Sequence, residues 1–561
     1  VCLLALGTHE ALGGGGAELC GPLEADTTLR LAASPYLVAC DVTVPAGVAL
    51  TIEAGVELRF AQAAGLRIGG RLEVLGEAGR PVVLRAVGDG GPGSWRGVSI
   101  DHGGDGEPRD SRLVHVRLED ASTLLDVRDT GASEITIEDS AFDDWSLHAV
   151  DFRFADGLRL SRCELGLATP PEHQEAETVH GVSSAVVIEH STFGRRRRGA
   201  DVIDLSGGDW GGPVPTIRYN TFLGGEDDAI DLDDSAGWVI GNVVRGFWPP
   251  DPPLGAVNGG GITGSAGNPV IANNIISDCY HGIGFKDGSG PLVVNNLVVG
   301  CHVGLTFYKA DCDAPAPVAV LHNNIIWDNR FAEGPRAGEV SSIVPDGTWF
   351  DAYCQEPAGQ SVVEVSYSIV AGGWPGEGNL DADPLLADVG RRDFSLLPGS
   401  PALDSGFGGP LSLPGPSQPD AALLAAVLAR DRLGSERQDL PCVEEAGGGE
   451  IAFLDRGPLE ALASAVCLAP GTARFLRADA NGDGDIDLGD AVASLFVLFD
   501  GAPSDCLDAL DADDDGSLSL DDVLRVLNYV FQRGPVPAAP FPGKGADPTK
   551  DSLGCTRDPS P

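Results

Sequence analysis

The chain is predicted to fold as an all-β solenoid, a parallel β-helix, followed by a small helical module. Three observations carry this. Gly (77) and Pro (40) make up about a fifth of the 561 residues and aromatics only 6%, a composition suited to many turns joined by short apolar segments. From Tyr36 the chain runs in short β-branched stretches broken by Gly or Asp, such as Val42-Thr43-Val44, Leu50-Thr51-Ile52 and Leu72-Glu73-Val74, which is strand and not helix spacing. A polar residue preceded by a short apolar strand then recurs at Ser140, Cys163, Ser191, Asn220, Asn242, Asn274, Asn296 and Asn324, with gaps of 23, 28, 29, 22, 32, 22 and 28. A strand-rich unit of about 22 residues is one turn of a coil. Stacked turns lie about 4.8 Å apart, so the asparagines are expected to form an internal ladder, amide to amide.

In order along the chain, residues 1–25 read as a truncated leader and linker: Val1 to Leu6 resembles the tail of a secretory apolar region and runs into Gly13 to Gly16. Residues 26–462 are expected to form the coil, with a dozen or more turns, and 463–478 a connector. Within the coil segment only Asp420 to Arg432 has helical character. Twelve cysteines without a CxxC pair, several spaced by 20 to 50 residues (Cys20/Cys40, Cys312/Cys354, Cys442/Cys467, Cys506/Cys555), point to disulfides in an oxidising compartment. A formal charge of −46, from 37 Lys+Arg and 83 Asp+Glu, excludes a nucleic-acid binder. No apolar stretch approaches the roughly 18 residues that span a bilayer.

The segment "YLVACDVTVPAGVALTIEAGVELRF…GSWRGV" (36–98) resembles the opening of secreted bacterial right-handed parallel β-helix proteins, and 379–406 and 451–460 resemble their closing turns. The resemblance implies a right-handed coil and a secreted or cell-surface location. It specifies fold and leaves function open, because this coil hosts lyases, hydrolases, adhesins and inert surface proteins.

In residues 479–556, Asp479, Asn481, Asp483, Asp485 and Asp490 stand where a calcium loop places its oxygen ligands, with Gly484 at the sharp turn. The pattern returns 32 residues later as Asp511, Asp513, Asp515, Gly516, Ser517 and Asp522. Each loop leads into an apolar run of helical spacing. Asp at the twelfth position and the absence of an entering helix resemble dockerin modules, which implies two bound calcium ions and a cohesin-like or cell-wall anchor partner. The family's partner-reading hydroxyl pair is replaced by Leu488-Gly489 and Leu520-Asp521.

Aligning turns on their apolar positions sets Asp201-Val-Ile203-Asp204 over Asp228-Ala-Ile230-Asp231 and places Lys286 further along on the same face. Asp201, Asp204, Asp227, Asp228 and Asp231 then crowd two adjacent turns, where mutual repulsion calls for a hard cation. The stretch "GEDDAIDLDDS" (225–235) resembles the calcium site of family 9 pectate lyases. That implies a uronate lyase acting on an acidic polysaccharide, with calcium on Asp204, Asp227, Asp228 and Asp231 and Lys286 as the base. Arg195, Arg196, His281 and Lys309 are candidate substrate-binding residues. Two other readings use the same chain: a polygalacturonase-type hydrolase with paired carboxylates, and a non-catalytic surface or glycan-binding scaffold.

Overall fold

The computed structural model describes residues 17–555 apart from 105, 168–176, 197–199, 250–258, 333–335, 346–360, 415–417, 441, 452, 462–465, 467–474, 505, 533, 546 and 550–552. Short strands repeat three to a turn and pair in parallel with the same strands of the turns before and after. They form three ladders. The first is a sheet of 13 strands from Thr27–Leu29 to Val362–Ser366, and the second and third share the long strand Tyr36–Val44.

Alternation decides what enters the coil. In the third ladder Ile203, Ile230, Ile262, Ile283 and Leu305 stand in register, each with no exposed surface. At the bend between the first and second ladders, a residue with positive φ precedes each ladder residue: Tyr219, Gly241, Asn273, Asn295 and Asn323 have φ between 56 and 66°. That bend turns the next side chain inward. Asn242 illustrates the result: its Nδ2 donates to the Ile217 carbonyl at 2.9 Å, and its backbone N–H and Nδ2 both donate to Asn274 Oδ1, at 2.8 and 3.0 Å. Asn220, Asn274 and Asn296 repeat the arrangement, and the N–H of Asn324 passes to Ser368 Oγ at 3.1 Å. The ladder thus satisfies polar groups that would otherwise be buried and unpaired.

The coil differs from the expected 26–462 at both ends. It starts earlier, because Glu18–Pro22 pairs in parallel with Tyr36–Val44 and Cys20 is disulfide-bonded to Cys40. It also stops earlier, its last paired strand being Ile369–Val370. Beyond it Leu380 makes a single parallel bridge to Ile369, and the described residues from 381 to 461 do not stack on the coil as further turns. They run back over the outside: Phe394, Leu396, Leu403 and Leu440 cover Ile275, Leu297 and Ile325 of the second ladder, and Leu413 and Leu424 cover Trp238, Val270 and Leu292 of the first. Asn273 and Asn323 hold this segment, their amides donating to the carbonyls of Arg430 and Phe407 at 3.1 and 2.9 Å. The expected helix forms over Ala421–Leu428, capped by Asp420.

The disulfide expectation holds for Cys20–Cys40 and Cys506–Cys555, and Cys312 and Cys442 are also disulfide-bonded. Cys354 and Cys467 lie outside the described residues, as does most of 463–478. It fails for Cys163, Cys279 and Cys301, which are buried free thiols inside the coil, where Cys163 occupies a ladder position as a small apolar residue would. Among the described residues no helix is long and apolar enough to cross a membrane.

Asn274→Ala removes the amide that serves Asn242, Val239 and Asn296 together. It is expected to destabilise the coil by about 3 kcal/mol or more, since each orphaned buried group costs about 1–3 kcal/mol. Urea unfolding followed by circular dichroism measures this.

Candidate functional site

The third ladder carries a five-residue unit in every turn, with an outward residue, two inward ones, an outward one and an inward one. It reads His148-Ala-Val-Asp151-Phe, Glu177-Thr-Val-His180-Gly, Asp201-Val-Ile-Asp204-Leu, Asp228-Ala-Ile-Asp231-Leu, Gly260-Gly-Ile-Thr263-Gly and His281-Gly-Ile-Gly284-Phe. The pairing register aligns these units residue by residue. Two outward rows result: His148, Glu177, Asp201, Asp228, Gly260, His281, and beside them Asp151, His180, Asp204, Asp231, Thr263, Gly284.

The acidic residues meet in the middle of these rows. Carboxylate oxygens of Asp201, Asp227 and Asp228 lie within 4.8 Å of one another. Asp201 Oδ1 accepts the Asp228 N–H at 3.0 Å. Asp228 accepts the Gly260 N–H at 2.6 Å and the Thr263 hydroxyl at 2.8 Å, and Thr263 also reaches Asp231 Oδ1 at 3.2 Å. Burial, reinforced by the neighbouring aspartates, pushes the Asp201 carboxyl up to about 10, Asp231 to about 8 and Asp227 to about 7. Asp204 is raised as well, chiefly by burial, with His180 opposing. An all-oxygen donor set at this spacing fits a hard divalent cation such as calcium.

Lys286 lies on the same outer face. It is in register with Ser265, which is in register with Asp233, so it stands two turns beyond the Asp231 strand, about 10 Å along the coil. Burial favours its neutral form, but Asp231, Asp233, Asp228 and Asp287 outweigh burial and raise its pKa. Tyr308 follows it one turn on, nearly buried.

His281 sits behind Asp228, Nε2 to Oδ1 3.9 Å, and is fully enclosed, with burial lowering its pKa. The slot depends on glycine: a Cβ on Gly260 would lie 2.4 Å from His281 Nε2 and 2.6 Å from Asp228 Oδ1, and one on Gly284 would lie 2.8 Å from His281 Cδ2. The histidine therefore packs beside the cluster in the same outward row and, at 5% side-chain exposure, offers little surface to a substrate.

One other sequence-predicted binding residue is corrected. Arg196 is buried with its guanidinium 5.4 Å from the centre of the Trp145 ring, and burial lowers its pKa to about 10. Lys309 donates one hydrogen bond to the Cys312 carbonyl at 2.7 Å. Arg195 is exposed, and Arg197 and Arg198 lie outside the described residues. Missed by the sequence reading were Glu177, which faces the cluster from one turn earlier, and the His148/His180 pair beside it. The recurring five-residue unit is the signal that finds them.

In the C-terminal module the two loops are built alike. Gly484 and Gly516 have φ of 91 and 81°, a conformation that only glycine adopts freely. Asp487 caps the Leu488–Asp500 helix, and Asp490 completes the capping box by accepting the Asp487 N–H at 2.8 Å, while its other oxygen accepts the Asn481 N–H at 3.2 Å. Asp522 repeats this with Ser519 and Ala512, at 2.8 and 2.9 Å. Oxygens of Asp511, Asp513 and Asp522 lie within 4.8 Å, and burial raises Asp522 to about 6. Asp479 and Asp511 each accept the N–H of the turn glycine, at 3.1 and 2.9 Å, and Asp483, Asp485, Asp515 and Ser517 line the loops.

Residues 97–338 match the family described as "Right handed beta helix region", and the coil is a right-handed parallel β-helix. A pectate lyase structure is 13% identical, covering 75% of this chain and 89% of that one, with a TM-score of 0.28. The A-module of a mannuronan C-5 epimerase from Azotobacter vinelandii is 12% identical over 62% of this chain and 90% of that one, TM-score 0.25. A polysaccharide lyase of family PL6 from Pseudopedobacter saltans is 12% identical over 62% and 94%, TM-score 0.27. A 66-residue stretch is 41% identical to the protein bark beetle of Drosophila melanogaster, covering 12% of this chain and 2% of that protein's length.

Carboxyls whose folded pKa exceeds the ordinary 3.8 hold protons that the unfolded chain has released. Without a divalent cation, the coil should therefore lose stability as pH rises from about 4 towards the 7 to 10 range of Asp227, Asp231 and Asp201. Asp231→Asn should raise cation-free stability at pH 8 by on the order of 1 kcal/mol. Thermal unfolding across pH, with and without chelator, reads both effects.

Proposed function

We propose that the protein is a secreted calcium-dependent polysaccharide lyase that cleaves a uronate polymer by β-elimination. The observation that carries this reading is Lys286 standing on the same outer face as an all-oxygen carboxylate cluster, two turns from Asp231. Asp201, Asp227 and Asp228 would hold the cation, with Asp204 and Asp231 at its edge. Bound calcium supplies positive charge that ligates the uronate carboxylate and acidifies the adjacent C–H.

Lys286 Nζ, as the free amine, takes the C5 proton. The electron pair left on C5 forms the C4–C5 double bond, the C4–O4 bond breaks, and the departing oxygen takes a proton from solvent. The carboxylates that hold the lysine protonated in the cation-free chain are the ones that a divalent cation neutralises, which ties the base to the occupied site. Thr263 and the Gly260 N–H fix the rotamer of Asp228, so the cluster is ordered before anything binds. The disulfides support an extracellular location.

Lys286→Ala should lower turnover on a uronate polymer by about 100-fold or more while the coil still folds, as read by circular dichroism. The readout is ultraviolet absorbance of the new double bond, with calcium supplied. Reducing ends without that absorbance would select hydrolysis, and neither signal on any uronate polymer would select the scaffold reading.

The C-terminal module is read as a dockerin-like calcium domain. Its support is the repeated loop geometry together with apolar side chains left exposed at equivalent places of the Leu488–Asp500 and Leu520–Gln532 helices: Leu488 and Leu520, Val492 and Leu524, Phe499 and Phe531. A duplicated apolar surface suits a cohesin-like or wall-anchor partner. Chelation should make residues 479–555 protease-sensitive and leave the coil intact, because the loop carboxylates repel without a cation. Limited proteolysis with mass spectrometry checks this, and equal protection with and without chelator refutes it.

A further inference from the structure

One turn before the aspartate cluster, the two outward rows change character. His180 follows Asp151 and precedes Asp204 in one row, and His148 precedes Glu177 and Asp201 in the other. The His148 and His180 rings stack, with centroids 5.3 Å apart and planes 23° from parallel. Each is held by its Nδ1: that of His180 bonds Asp151 Oδ1 at 2.8 Å, and that of His148 meets the Glu177 carbonyl at 3.3 Å and its carboxylate at 3.4 Å. Arg128 locks the other oxygen of Asp151 at 3.0 Å, and the exposed Arg153 stands beside it in the next row. Both rings are partly exposed, 19% and 24% by side chain.

This is a fixed ledge. With Nδ1 engaged, the remaining polar atom of the His180 ring is Nε2, a hydrogen-bonding atom in either protonation state. It faces the same side as the cluster, one turn away. Turns spaced about 4.8 Å apart match the length of one hexose residue in an extended chain, so a polymer lying along the coil with one carboxylate at the cluster puts its next sugars over the two histidines. The stacked rings turn their edges outward, His180 Nε2 among them, and the exposed Arg153 adds positive charge where an acidic polymer would pass.

We propose that His148 and His180 form a sugar-binding subsite for the uronate chain on the N-terminal side of the aspartate cluster. His180 Nε2 hydrogen-bonds a sugar oxygen, and His148 backs the ring. The inference rests on the lyase reading above and adds its binding register: the polymer runs along the third ladder, across the strands, and extends towards the N-terminal turns.

His180→Asn separates binding from structure, because its amide can replace Nδ1 towards Asp151 while the outward atom is lost. The full chain with calcium is assayed on oligouronates of increasing length. His180→Asn and His148→Ala should each lose about tenfold in kcat/KM, through KM, on oligomers long enough to reach the subsite. The shortest cleaved oligomer should be turned over as by the parent at saturating calcium. Equal loss at every length, or no loss at any length, overturns the subsite and leaves the lyase reading standing. A parent that neither cleaves nor binds any oligouronate by calorimetry overturns the lyase reading, and the subsite with it. If His180→Asn does not fold, the length dependence of His148→Ala decides alone.

Discussion

In-register parallel stacking governs this molecule. Once Ile203, Ile230, Ile262 and Ile283 are superposed inside the coil, the residue after each is forced outward into one row at strand spacing. No outward side chain can be placed without regard to the one above it and the one below. The same rule that lets asparagines share amides in the interior brings Asp204 over Asp231 and Asp201 over Asp228 outside. Repulsion among them is therefore built into the fold and not into a loop that could relax. Burial, ordinarily a modest influence at a surface, becomes the largest cause of the raised carboxyl pKa values because each aspartate is roofed by its neighbours.

The coil holds such a cluster by grading what stands beside it. Towards the N-terminus the rows pass from aspartate to histidine and then to the Arg128–Asp151 pair, so the negative charge is met by groups that can carry positive charge. Towards the C-terminus they pass to Thr263 and to glycines, and His281 is admitted only because Gly260 and Gly284 lack a Cβ. The cluster is thus bounded at one end by charge and at the other by space.

Much of this was legible in the sequence. The ladder positions from Ser140 to Asn324, the register of Asp201 and Asp204 over Asp228 and Asp231, and the outward phase of Lys286 follow from a repeat and an alternation, both of which are local. Three things were not. Arg196 sits in a basic run and looks like surface, yet it packs on Trp145, a partner about 50 residues away that no periodicity points to. Cys279 and Cys301 look like half of disulfides by count, but each takes an interior position where a thiol behaves as a small apolar group. The end of the coil was misplaced because residues from 380 onward still carry strand-like segments; what changes is where those segments pack.

That last difference does have a sequence signature, and it bears on the site. Early strands alternate, as in Ile135-Thr-Ile-Glu, whereas Val270-Ile-Ala, Leu292-Val-Val and Leu297-Val-Val are apolar at every position and buried on both faces. A strand apolar on both faces demands a cover, and the described residues from 380 to 461 supply it over the first and second ladders. The third ladder makes no such demand between Asp151 and Asp231. Its outward residues there are His180, Asp204 and Asp231, which would each be costly to bury under an apolar segment. Among the described residues, the segment from 380 to 461 therefore covers two of the three ladders, and the polar rows account for why it does not cover this part of the third.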